Sequence, residues 1–153
     1  MCTAFCTWQA LNYAKSSDKA ALDRAYARAT VHMEFVASLY AEQAATGRYF
    51  LHDHPSGASS WGIAAVKALQ DLPGVARVNA DQCQYGATAV SGTRRGGPVK
   101  KPTGFLTNSR ELALTLGRQC AGGAQPGHRS RPGDGAQVPC IGRVALVAFA
   151  GRS

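Results

Sequence analysis

SSDKAALDRAYARATVHMEFVASLYAEQAATGRYFLHDHP, residues 16–55, carries a long helical periodicity straight into a short apolar strand. Ser16, Ser17 and Asp18 suit an N-cap, because short oxygen side chains satisfy the first free N–H groups of a helix. Gly47 suits the stop, because glycine takes the left-handed turn that ends one. Between them Leu22, Ala25, Tyr26, Ala29, Met33, Val36, Leu39 and Tyr40 recur at steps of three and four. That spacing predicts an amphipathic helix up to about 45 Å long. Tyr49-Phe50-Leu51 then predicts a buried strand that runs out at His52-Asp53-His54-Pro55, since Pro55 has no N–H to give a ladder.

Downstream, Ser59 or Ser60 is placed to cap a second helix bearing Trp61, Ile63, Val66 and Leu69, closed by Pro73-Gly74. Residues 75–78 predict another strand, Cys83-Gln84-Tyr85 a further one, and Phe105-Leu106 a last one after a glycine-rich hairpin or loop at 86–97. Ser109 caps a third helix to about Arg118. Helix and strand in alternation predict an α/β fold with crossovers and parallel strands, a partial Rossmann-like sheet with flanking helices. The first helix has no strand before it, although a parallel crossover needs one on each side. The expectation is a truncated domain over residues 1–120. A basic, Gly/Pro-rich loop and an apolar segment, IGRVALVAFA, follow over 121–153.

Among the 153 residues no apolar run approaches the roughly 20 that a spanning helix needs. The first residues show no basic stretch followed by an apolar one, as a secretory signal would. Five cysteines without framework spacing fit free thiols in a reducing compartment, so the expected location is intracellular, cytoplasmic or nuclear. Charge is more telling by segment. Residues 1–90 are neutral, with seven basic and seven acidic side chains. Residues 91–133 hold Arg94, Arg95, Lys100, Lys101, Arg110, Arg118, Arg129 and Arg131 against Glu111 alone. Such a concentration attracts phosphate, so nucleic acid is the expected partner, DNA before RNA; a solvated tail is the alternative.

Smaller constellations carry weaker chemistry. His52 and His54 fall on one side of a strand, as two metal ligands would, and with Asp53 they suggest a metal-dependent nuclease or hydrolase, but a third ligand is not evident. Cys120, His128 and Cys140, with Cys83, offer zinc donors at spacings unlike a tight finger, and no metal is assigned. Gly92, Gly96 and Gly97 form no phosphate loop, because Lys100 is not followed by Ser or Thr. Trp8 and Trp61 read as core anchors.

Three motifs in order resemble the DNA cytosine methyltransferases. Cys2-Thr3-Ala4-Phe5-Cys6 is similar to the family's Pro-Cys loop, and Asp53-His54-Pro55 to its Glu-Asn-Pro strand end. Cys83-Gln84-Tyr85-Gly86 followed by Lys101-Pro102-Thr103-Gly104-Phe105-Leu106-Thr107-Asn108 resembles the phage-type branch and segments of mobile-element polyproteins. The resemblance implies that Cys2 is the thiolate that adds to an extruded cytosine and Asp53 the carboxyl that holds its ring. It implies substrate contacts from Lys101, Thr103 and Asn108, and S-adenosylmethionine as the cofactor of a complete version. Arg94, Arg95 and Lys100 join the expected nucleic-acid contacts by charge. Met1 replaces the family's proline, Cys6 a serine, and Asp53 a glutamate longer by about 1.5 Å. The family's glycine-containing cofactor turn has no counterpart here. The expectation is therefore an inactive methyltransferase-like fragment that binds no cofactor by itself, with the missing N-terminal half of the domain as a further partner. A noncatalytic nucleic-acid-binding module is the rival.

Overall fold

The structure is a computed structural model that describes residues 2–6, 9–90 and 95–121, apart from the side chains of Cys2, Thr3 and Ala10. After a 3₁₀ turn at Cys2–Phe5 come α1 (Gln9–Lys15) and the long α2 (Lys19–Ala45). Asp18 is the N-cap, its Oδ1 accepting from the Ala21 N–H at 2.8 Å. At the other end Arg48 N–H donates to the Gln43 carbonyl and Gly47 N–H to that of Ala44, with Gly47 at φ 71°. These two bonds close a Schellman stop, which releases the chain directly into β1.

Strands β1 (Leu51–Pro55), β2 (Ala76–Asp81) and β3 (Pro102–Thr107) form one sheet in the order β1-β3-β2. Each neighbouring pair is antiparallel, which corrects the expected parallel ladders. The crossover itself is present, because β1 and β2 run parallel to each other, joined through a 3₁₀ turn at Ser59–Gly62 and α3 (Ala64–Gln70). What differs is the return: the chain comes back and inserts β3 between them.

A second correction concerns Cys83-Gln84-Tyr85. These residues form a 3₁₀ turn, Gln82–Tyr85, that curls away from β2 and closes on Gly86 at φ 79°. A third concerns the cap of α3. Neither Ser59 nor Ser60 caps it; Ser60 Oγ instead meets His54 Nδ1 at 3.2 Å. Ser109 does cap α4 (Arg110–Leu116), accepting from the Leu112 N–H at 3.3 Å.

The core lies between the sheet and α2 with α3. Met33, Val36, Ala37 and Tyr40 of α2 meet Val66 and Leu69 of α3 over the fully buried Leu106 of β3. Alternation along β1 puts His52 and His54 on this face beside Leu106 and Gly104. Trp61 closes it, with its Nε1–H donating to the Pro55 carbonyl at 2.8 Å and its ring near those of His52 and His54. A Cβ on Gly104 would come within 2.8 Å of the Trp61 ring, so that glycine is required by close approach. Helix α4 covers the opposite face, against β2 and β3, with Gly117 beside Val78. Among the described residues no helix is long and apolar enough to cross a membrane.

Candidate functional site

Open parallel α/β sheets place ligands at the carboxyl ends of their strands; in this sheet β1 and β2 run parallel, with β3 between them and antiparallel to both. Here that end is built around the start of β3. The turn after β1 donates from Ser56 N–H to the Pro102 carbonyl at 3.1 Å, and the turn after β2 donates from Gln82 N–H to the Lys101 carbonyl at 3.2 Å. Lys100 and Lys101 are thereby fixed where β1 and β2 both finish.

The acids of this end differ. Asp81 is buried and fully engaged: its Oδ2 accepts from the Cys120 N–H at 2.8 Å and lies 3.7 Å from Lys100 Nζ. Asp53 is part-buried and sits in the middle of β1, opposite Phe105, on the face away from α2 and α3. Burial raises its carboxyl pKa above the ordinary range, and the nearby Lys101 charge partly offsets this. The ladder runs through it to Pro55, where the strand was expected to end. Arg118 stands 6.0 Å from the Tyr85 ring centroid, and Tyr85 donates to the Thr115 carbonyl, so a cation and an exposed aromatic lie side by side. Neither Asp81 nor the Arg118–Tyr85 pair stands out in the sequence, since Asp81 meets Cys120 across 39 positions and Tyr85 meets Thr115 across 30.

Other expected contacts are spent inside the fold. Asn108 sits at the opposite end of the sheet, its Oδ1 accepting from the Phe50 N–H and its Nδ2–H donating to the Arg48 carbonyl, both at 2.9 Å. Thr103 is buried, accepting from Gln82 Nε2–H at 3.0 Å and donating to the Lys101 carbonyl. Arg95 is exposed in the loop before β3, whereas Arg94, Arg129, Arg131, His128, Cys140 and Trp8 lie outside the described residues.

The turn that carries Cys2 is seated by Phe5, which is buried edge-on to Tyr26 at 5.2 Å and near His54 at 6.1 Å. That seat is on the face covered by α2 and α3, opposite Asp53. His52 and His54 are buried with their Nδ1 atoms facing Tyr40 and Ser60 and their Nε2 atoms without partners. Burial lowers both pKa values to about 4, so the imidazoles are neutral at ordinary pH, and burial raises that of the Tyr40 hydroxyl. Because Asp53 faces the other way, the His52-Asp53-His54 run does not converge on one point. Among the described residues no group of three or more His, Cys, Asp or Glu side chains could hold a metal ion.

S-adenosylmethionine is implied only by the resemblance. The described glycines with positive φ, Gly47, Gly74, Gly86 and Gly96, precede strands or close loops. None of these four makes a strand–glycine–helix turn. Compared with protein-family models, curated proteins and solved structures, the chain matches none of them.

Proposed function

We propose that the chain contacts nucleic acid through the sheet end formed by Lys100, Lys101, Arg118 and Tyr85, as the target-base part of a methyltransferase-like unit. The observation that supports this most is the pair of turns after β1 and β2 that hydrogen-bond to residues 101 and 102, holding two lysines where parallel strands end. Lysine and arginine there neutralise phosphate, and an exposed tyrosine beside a guanidinium offers a stacking face for a base. Helices on both faces of a sheet with a parallel crossover are consistent with a Rossmann-like origin. In this reading Asp53, whose carboxyl pKa is raised by burial, is the group that holds the ring of an extruded cytosine, as the resemblance implies.

Two measurements test the proposal. Changing Arg95, Lys100, Lys101 and Arg118 to glutamine should make the slope of log affinity against log salt shallower by about 0.9 per lost phosphate contact on duplex DNA. An unchanged slope would assign these charges to solvent. The second compares a fully paired duplex with one carrying a cytosine opposite an abasic site. Asp53→Asn should weaken binding to the second by roughly tenfold and leave the first unchanged, while Asp53→Glu keeps the preference. If Asn binds both duplexes like the parent chain, the chain is a binding module in which Asp53 has no part.

A further inference from the structure

Asp81 commits both its backbone and its carboxylate to the segment after α4. Its N–H donates to the Arg118 carbonyl at 3.0 Å, and its Oδ2 accepts from the Cys120 N–H at 2.8 Å. Cys83 lies two positions beyond Asp81, in the turn Gln82–Tyr85, so the bonds from Asp81 to residues 118 and 120 bring the Cys120 segment alongside that turn, where the two thiols influence each other. Both cysteines are partly exposed and reduced, and the whole of β3 and α4 separates them in the sequence. The fold therefore delivers two thiols to each other from opposite ends of its last βα unit, with Asp81 as the brace.

We propose that Cys83 and Cys120 form a reversible disulfide, made by exchange with a small-molecule disulfide of the glutathione type, which clamps the segment after α4 to the turn after β2. The balance is simple. One cysteine loses its proton to water, and its thiolate attacks a sulfur of the small disulfide. A mixed disulfide forms and one glutathione thiolate leaves. The second cysteine, likewise deprotonated, attacks the protein sulfur of the mixed disulfide and expels the other glutathione. The protein loses two thiol protons and two electrons, and one glutathione disulfide becomes two glutathiones. Burial, the Cys120 thiol and the Asp81 charge keep the Cys83 thiol protonated, with a hydrogen bond from Gln84 in the other sense, so exchange is slow at neutral pH. Lys100, 3.7 Å from Asp81, and Arg118, over Tyr85, are the cations at this corner. The clamp does not depend on the nucleic-acid reading, although it would fix Arg118 in place.

The test uses the full reduced chain, incubated with glutathione disulfide at mildly alkaline pH in the presence of EDTA, alkylated with iodoacetamide and digested with trypsin. The expected product links the peptide of residues 78–94, which holds Cys83, to that of residues 119–129, which holds Cys120. Dithiothreitol should remove the link. The linked chain should melt roughly 10 °C above the reduced one, because a long loop is closed. Alkylation of both cysteines after the same treatment would overturn the proposal, as would stable glutathione adducts or dominant links to Cys2, Cys6 or Cys140. Equal melting of linked and reduced chains would overturn the clamp. In a parallel incubation without EDTA, thiols that stay protected from exchange would point to a bound metal and also overturn it.

Discussion

Between pH 6.5 and pH 4 the chain should lose most of its stability. His52 and His54 are neutral in the fold, with pKa values lowered by burial to about 4, against about 6.5 in an unfolded chain. Across that window the unfolded state binds more protons, so stability is fully present above 6.5 and falls as pH falls. The shift corresponds to an upper bound of about 3 kcal/mol for each imidazole, which together would consume much of the 5–15 kcal/mol typical of a domain. Asp53 acts in the opposite sense, because its pKa is raised and acid relieves its charge, but it is a single part-exposed group. Urea midpoints measured from pH 7.5 to 4.5 should therefore drop steeply below about 6.5. Midpoints that stay level through the window would mean that both rings meet water.

Trp61→Ala should cost about 3–5 kcal/mol, the usual range for deleting a buried aromatic ring. Trp61 is 6% exposed and touches every layer of this face: the His52 and His54 rings, the Pro55 carbonyl, the close-set Gly104, and Arg77, whose guanidinium lies 4.0 Å above it. Arg77 would lose its stacking partner, keeping only its bond to the Ser56 carbonyl. Trp61→Phe should be milder, at about 1–2 kcal/mol, because it fills most of the space and loses only the N–H bond. A cost below about 1 kcal/mol for Trp61→Ala, in urea unfolding at neutral pH, would instead make Trp61 a surface ring free to stack on a base.

Local chemistry was read correctly wherever one residue dictates one geometry. Asp18 and Ser109 cap because of their side-chain oxygens, and Gly47 stops α2 because of its φ; β1 ends at Pro55 as expected, although Pro55 is itself paired with Thr103 and Ser56 still donates to the Pro102 carbonyl. What escaped depends on pairing over distance. The order β1-β3-β2 cannot be told from a parallel sheet by periodicity, since strands of either kind alternate alike. Cys83-Gln84-Tyr85 has strand-like composition, yet Gly86 N–H donates to the Cys83 carbonyl and Ala87 N–H to that of Gln82, curling the segment. Ser60 carries a capping oxygen, but a buried imidazole takes it. For the site, Lys100 and Lys101 were visible as charge and Asp53 as an unusual acid. Their common position at one sheet end was not, because it rests on bonds from Ser56 and Gln82 to a strand that follows much later.

That late strand also governs the order of assembly. Among the described residues β3 is the middle of the sheet and the last of its strands in sequence, and the contact that locks its end, from Phe50 to Asn108, spans 58 positions. Neither β1 nor β2 has a ladder partner until residues 102–107 are available, so on a ribosome the first hundred residues emerge with helices that can form and a sheet that cannot. Leu106 and Trp61 belong to one buried cluster with His52 against it, so that part of the core cannot close before β3 is in place.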